Sequence, residues 1–446
     1  MRRDRRGIAF LRRINIEEMI CVLLLAFFAM QGAIPGISPN QANEMTHTSA
    51  SSLMKIVGIG SQLLVQGTIC VLILMHWRRL RYFAACLQWS AAIALFAALS
   101  TLWSQDPEAT ARRSIAFMLA TIFGLYLASR FSVRKQISIF CLTMASAALA
   151  SAALALFAPS IGLEASTGHF GNWQGVFTQK NACGRAMVFS LAACLAQGRI
   201  NAIRFVCMIL FLSVLLMSGS RGAWIIGAAL LLCHVAFRGL MRFAPSSRPL
   251  LISGALALGG SGIVVAWTLL PSMVLLLGRD VTLSGRTAIW RQVWSAILKH
   301  PVAGYGFAAF WQGMRGESYN VILALRFVIF HAHNGFLEIW LELGATGLLF
   351  FLLSYVRAWQ KLWPVLRSPH MARSSWMFYV LILIAVYDVE ENSLLTFNGL
   401  FWVLYVATLV NIEILRAECN RDLYFNGQFS SCAIDISERS AAVCKA

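Results

Sequence analysis

The sequence predicts an all-α fold: a polytopic membrane helix bundle of about 12 transmembrane helices, with one long loop on its outer, periplasmic side. Three observations predict it. Of the 446 residues, 59% are hydrophobic and only 13% charged, where a soluble domain carries about 25% charged residues. The apolar residues gather into runs close to the ~17–25 residues that cross a bilayer. The 37 Lys and Arg, against 19 Asp and Glu for a net charge of +18, sit singly or in short clusters between those runs. A soluble enzyme, a disordered chain and an ordinary nucleic-acid binder, which would collect its basic residues on one polar face, are excluded.

The runs lie at 16–34, 53–75, 82–102, 113–129, 136–158, 182–197, 204–219, 222–237, 250–270, 334–356, 375–389 and 394–414. The first follows Arg2, Arg3, Arg5, Arg6, Arg12 and Arg13. It is long for a signal-peptide core and no clear small-x-small cleavage site follows, so it reads as a retained span. Every second connection is then basic: Arg78, Arg79 and Arg81; Arg130, Arg134 and Lys135; Arg199 and Arg204; Arg238, Arg242 and Arg248; Arg357, Lys361, Arg367 and Arg373. Excess Lys and Arg mark the cytoplasmic side, which places both termini in the cytoplasm. Residues 1–416 read as one transmembrane domain and 417–446 as a polar, poorly ordered cytoplasmic tail.

The connection 271–333, between spans nine and ten, is about 63 residues long, and a loop of that length is usually functional. Within it, Ser284 to Lys299 carries Ile289, Val293 and Ile297 at i, i+4, i+8, beside Trp290 and Trp294, and stops before Pro301. That pattern is a short amphipathic helix suited to the headgroup plane, or equally to a structural cap over the bundle. The 11 Cys form no CxxC pair and read as apolar fillers. His331 and His333 are the only close His pair, and i, i+2 does not share a helix face. No metal and no cofactor are expected.

Polar groups crowd the outer side. Residues 164–185 hold His169, Asn172, Trp173, Lys180, Asn181 and Arg185; Ser218-Gly-Ser-Arg221 follows span seven, and Ser284-Gly-Arg286 opens the amphipathic helix. Tyr305 and Trp311 come next, then His331-Ala-His333-Asn334 at the mouth of span ten, with Glu338 and Glu342 one turn apart below it. Arg and Glu at membrane depth are expensive. Either the arginines neutralise the glutamates and hold the bundle together, or they surround an anion. The planar guanidinium donates in a fork that suits phosphate, and a lipid diphosphate is an anion found at that depth. A sugar above it would want the aromatic faces and amides of Trp173, Asn172, Tyr305 and Trp311. A His beside such a cluster is a candidate general acid or base.

The sequence resembles the O-antigen ligase/polymerase superfamily, the multi-span glycosyltransferases of bacterial surface polysaccharides. His333-Asn334, nine residues, then Gly344-Ala-Thr-Gly347 is similar to that family's H-[N/S/Q]-x9-G-x-x-[G/T/Y] pattern. The stretches 285–311 and 171–184 look like the exopolysaccharide-polymerase branch, over a resemblance covering roughly 165–360. Gln179 stands where that branch often has His, so no acid/base role carries over there. The resemblance implies a metal-independent, inverting enzyme of the bacterial inner membrane. Its substrate would be an oligosaccharide on undecaprenyl diphosphate, transferred to the non-reducing end of another lipid-linked repeat unit. A polysaccharide copolymerase protein commonly works beside such enzymes. Arg221 and Arg286 become diphosphate ligands, with Lys180 and Arg185 as further ligands of the same anion. His333 becomes the group that orients or deprotonates the acceptor, and Glu338 either orients His333 or is the base itself. Asn181 and Asn334 join the substrate-binding set. Two rival readings are a ligase acting on lipid A-core and a polysaccharide-precursor transporter or flippase, which would show pseudo-symmetric halves with broken helices at the midplane.

Overall fold

The computed structural model describes residues 15–35, 52–164, 171–198, 200–244, 246–248 and 286–443; side chains at 52–54, 369–370 and 422–443 are outside the description. Among the described residues the chain is helical, its helices stacked side by side: α1 Ile16–Ala29, α2 Ser52–Ala84, α3 Gln88–Leu99, α4 Pro107–Arg130, α5 Val133–Phe157, α6 Lys180–Ala196, α7 Ala202–Met217, α8 Arg221–Leu240, α9 Arg286–Ile297, α10 Gly316–Leu325, α11 Gly335–Leu366, α12 Ser375–Glu390 and α13 Leu400–Val443. Among the described residues seven stretches are long and apolar enough to cross a membrane, and Ala202–Met217 is a shorter apolar helix. The protein is a polytopic helical membrane protein, and the predicted run 250–270 lies outside the described residues.

One of the seven stretches, Lys55–Leu102, is 48 residues long. As a straight rod it would reach ~70 Å, more than twice a ~30 Å hydrocarbon core. It folds back instead. α2 kinks at His76 (φ −118°, ψ 16°) and a 3₁₀ turn at Ala85–Leu87 leads into α3. The contacts show the reversal. Gln62 bonds Asn398 at one end of the bundle, His76 reaches Glu17 at the other, and the Trp103 indole donates to the Ala303 carbonyl back at the first end. The predicted runs 53–75 and 82–102 therefore lie on the two arms of this reversal.

Burial separates the interior from the apolar rim. α13 has 72% of its most apolar window buried and α4 has 67%, whereas Lys55–Leu102 has 11%; in a bilayer an apolar exposed face needs no protein partner. The Phe117, Phe307 and Trp402 rings pack against one another at tilted angles through the centre, Phe117 lying 4.9 Å from Phe307 and 4.6 Å from Trp402 between centroids. α4 begins as its sequence dictates, with Pro107 in the first turn and the Asp106 carboxylate capping the Ala109 amide at 3.1 Å.

The described part of the long loop, 286–333, contains two helices where the sequence predicts one. α9 is the amphipathic helix expected at 284–299, and Ile289, Val293 and Ile297 are buried as the spacing predicts. α10 was not anticipated. The loop is fastened to α11 by a break in that helix at Gly344 (φ +65°). There the Leu341 and Glu342 carbonyls accept from Tyr305 and Gly306 (3.1 and 2.9 Å), and Ala345 donates to the Pro301 carbonyl at 2.8 Å. A side chain at Gly344 would collide with the Val302 carbonyl. The Gly of the His-Asn-x9-Gly pattern thus marks where the loop replaces the helix's own hydrogen bonds. At the far end, α13 continues to Val443, where the sequence reading expects a poorly ordered tail; residues 417–443 contain no proline to stop the helix.

Candidate functional site

The end of the bundle opposite the basic connections carries a cluster centred on Glu391, the residue just after α12. Its Oε1 accepts from His333 Nδ1 at 2.8 Å and lies 3.3 Å from His331 Nε2. Its Oε2 lies 3.7 Å from an Arg286 Nη and accepts from the Asn181 amide at 3.4 Å. Four segments distant in sequence therefore meet on one carboxylate: the start of α6, the start of α9, the loop before α11 and the end of α12.

Local chemistry places each arm. His333 sits at φ +50°, a left-handed conformation uncommon outside glycine, which turns the chain just before α11. Asn334 caps that helix, accepting from the Leu337 amide at 3.0 Å and donating to the Val389 carbonyl at 3.3 Å. Glu338 is buried. Its Oε1 accepts from the Trp311 indole at 2.6 Å and its Oε2 from the Ala332 amide at 2.7 Å. The Trp290 indole of α9 donates to the Ala332 carbonyl at 3.0 Å. Ala332 is thus held on both polar faces, and the two His rings beside it stand 4.1 Å apart. The amphipathic helix clamps the histidine loop as well as capping the bundle.

Burial alone would push the Glu391 carboxyl up, but His331, His333 and Arg185 outweigh it and hold the group at about 2. Burial pulls His331 down to about 4, against the attraction of Glu391. At neutral pH that ring is uncharged, and the guanidiniums of Arg185 and Arg286 are the permanent charge partners of Glu391.

The structure sorts the residues the sequence singled out. His333, Arg286 and Asn181 converge on Glu391. Arg221 is exposed at the start of α8, linked to the cluster through Ser220, whose hydroxyl donates to Asn181 at 3.0 Å. Lys180 stands within electrostatic reach of Arg221 and Glu164. Asn172 lies against Gly219, and the Trp173 amide donates to the Met217 carbonyl at 3.0 Å, which lays this segment over the turn into α8. Arg185 is only 2% exposed and faces inward. Three expectations are corrected. Tyr305 offers no face to a sugar: it is buried in a cluster with Ile289 and Val293, and its hydroxyl donates to the Ala296 carbonyl at 2.9 Å. The amide of Asn334 is occupied by capping. Glu338 does not orient His333; its oxygens hold Trp311 and Ala332. His169 lies outside the described residues.

Sequence reasoning missed Glu391, the partner of His333 58 positions away. A signal existed. Asp388, Glu390 and Glu391 crowd the end of an apolar run, and ionisable groups at that depth mark function or pairing. The i, i+2 argument against a metal also assumed a helix at His331–His333. In the observed loop His331, His333 and Glu391 bring three donor atoms within 4.8 Å of one another, a set that fits a divalent ion. Arg286 beside Glu391 would oppose that charge.

Comparison with known proteins agrees with the motif reading. Residues 206–352 match the family model Wzy_C, described as O-antigen ligase; this span contains Arg221, Arg286, His333 and Glu338 but not Glu391. Over 354 residues the chain is 27% identical to the exopolysaccharide production protein ExoQ of Rhizobium meliloti (strain 1021), covering 73% of this chain and 77% of that protein.

Proposed function

We propose that this chain, a membrane protein of the O-antigen ligase superfamily, is an exopolysaccharide polymerase that moves a growing glycan from undecaprenyl diphosphate to the non-reducing sugar of a second lipid-linked unit at the periplasmic face. The observation that carries the proposal is the His333–Glu391 pair with Arg286 on the same carboxylate. With Nδ1 donating to Glu391, the His333 lone pair resides on Nε2, which takes the proton of the acceptor hydroxyl. The hydroxyl oxygen then bonds to the donor's anomeric carbon as the bond from that carbon to the diphosphate oxygen breaks. Undecaprenyl diphosphate leaves, its charge met by Arg286 and Arg221. The ionised Glu391 stabilises the imidazolium that forms, the role of the carboxylate in serine-hydrolase triads.

A second reading, a ligase with the same chemistry and a lipid A-core acceptor, has in its favour the description of the matching family. Analysis of lipid-linked glycans in a strain lacking the gene separates the two. Loss of a polymerase leaves single lipid-linked repeat units, whereas loss of a ligase leaves long lipid-linked polymer. Long polymer in the deletion strain refutes the proposal.

A further inference from the structure

Beneath the histidine loop the bundle holds a cavity of about 160 Å³, lined by residues that include Gln31, Arg113, Arg185, Glu338, Glu342 and Asn392. Protein cavities of about 150 Å³ admit benzene, so this one has room for a single six-membered ring. The base assigned above uses none of these six side chains.

The lining is chemically two-sided. Arg185, 2% exposed, makes one long hydrogen bond, 3.4 Å to the Asn392 carbonyl; its Nε is buried without a partner, and its plane lies over the Phe401 ring at 4.8 Å. A buried guanidinium with most of its donors unused is expensive and calls for an oxygen-rich ligand. Arg113, whose guanidinium also donates to the Ala308 carbonyl, adds a second cation. α11 supplies the opposite chemistry with the Glu338 and Glu342 carboxyls, both buried. Each Glu338 oxygen already accepts one hydrogen bond and keeps capacity for another. Phosphate oxygens only accept, and would meet two carboxyl groups here. A sugar hydroxyl both donates and accepts, and a ring of them satisfies both walls.

We infer that this cavity is a subsite for one sugar ring of the acceptor glycan, with Arg185 donating to its hydroxyls and Glu338 and Glu342 accepting from them. The inference rests on the transfer reading above and adds to it the acceptor's seat. His331 lines the same cavity and its ring stands 4.1 Å from that of His333, so a sugar seated there lies beside the base. Arg185 is thereby a sugar ligand rather than a diphosphate ligand, and the diphosphate is left to the more open Arg221 and Arg286. Sugar specificity is set by Arg185, Glu342 and Arg113, of which the sequence reading had associated only Arg185 with substrate.

The test uses the purified full chain in lipid nanodiscs. A panel of methyl hexosides, methoxycyclohexane as a ring without hydroxyls, and inorganic phosphate are measured by saturation-transfer NMR; undecaprenyl diphosphate is measured by calorimetry. Methyl hexosides are expected to bind and methoxycyclohexane is not. Glu342→Gln, which keeps the shape and exchanges an acceptor for a donor, should weaken hexoside binding about tenfold and leave undecaprenyl diphosphate affinity unchanged. Thr178→Phe, on the loop at the cavity wall, should abolish hexoside binding by filling the space. The inference is overturned if no hexoside binds, if both variants bind hexosides like the parent, or if inorganic phosphate displaces the hexosides. Hexoside binding without undecaprenyl diphosphate binding would uphold the sugar subsite and count against the transfer reading.

Discussion

Replacing Glu391 with Gln removes one charge and almost no volume. In the parent, the carboxylate accepts from His333 Nδ1 at 2.8 Å and is held ionised at about 2. Glutamine presents either an amide NH₂, which pairs with the wrong His333 tautomer, or a neutral oxygen, which stabilises the imidazolium poorly. A positioned general base contributes roughly 10²–10⁴ in rate, and the analogous carboxylate-to-amide change in a serine-protease triad costs about 10⁴. Here the carboxylate also touches His331, Asn181 and Arg286, and the proposed mechanism assigns part of the catalysis to arginines on the leaving group. A loss of about 10²–10³ is expected, which is ~2.7–4 kcal/mol of transition-state stabilisation at 1.36 kcal/mol per decade. The assay is the rate at which purified protein in nanodiscs converts lipid-linked repeat units into a ladder, followed on a gel. Thermal unfolding of the variant serves as the control for folding. A folded Glu391→Gln protein that polymerises within about threefold of the parent would remove Glu391 and the His333 dyad from the mechanism.

Four further outcomes are expected. Arg286→Lys should lose most activity although charge is kept, because the fork that grips phosphate is lost; full polymer from that variant in membranes counts against the phosphate role. Acid should destabilise the protein in two stages. The unfolded chain protonates His331 near 6.5 and the folded one only near 4, and the Glu391 carboxyl likewise lies at about 2 when folded against 4.5 in its unperturbed state. Stability is therefore lost as pH falls below 6.5, and again between 4.5 and 2; His331→Gln should flatten the first fall in a melting-temperature profile, and an unchanged slope would refute it. Gly344→Ala places a side chain at φ +65° against the Val302 carbonyl and should cost about 1–3 kcal/mol, read as a lower unfolding midpoint in detergent; a midpoint equal to the parent's would show that the loop does not depend on the break. EDTA should leave polymerisation unchanged, and inhibition reversed by zinc would instead put an ion between His331, His333 and Glu391.

Much of the architecture was legible because hydrophobic run length and the placement of charge are local properties. The run 113–129 lies inside α4, which starts six residues earlier at the Asp106-Pro107 cap, and the runs 53–75 and 82–102 need only the Arg78–Arg81 cluster between them to read as separate crossings. α9 was legible for the same reason: Ile289, Val293 and Ile297 lie on one stripe whatever they pack against. α10 was not, because Gly316–Leu325 is short and its burial depends on α9. Among the site residues, Arg286 and His333 stood out through charge and motif, and both reach the cluster. Tyr305 stood out equally and does not. An aromatic side chain near a membrane surface has the same sequence signature whether its face points to a ligand or to Ile289.

The sequence by itself determined that this is a helical membrane protein and which charged residues stand between its apolar runs, since each follows from what a bilayer and a helix demand of neighbouring residues. Only the tertiary structure decided which carboxylate serves His333. Glu391 bonded to His333, and Glu338 bound instead to Trp311 and Ala332, are pairings across 58 residues in one case and across 27 and 6 in the other. Charge attracts at a few ångströms in space, and no spacing along the chain records which groups the packed helices bring that close.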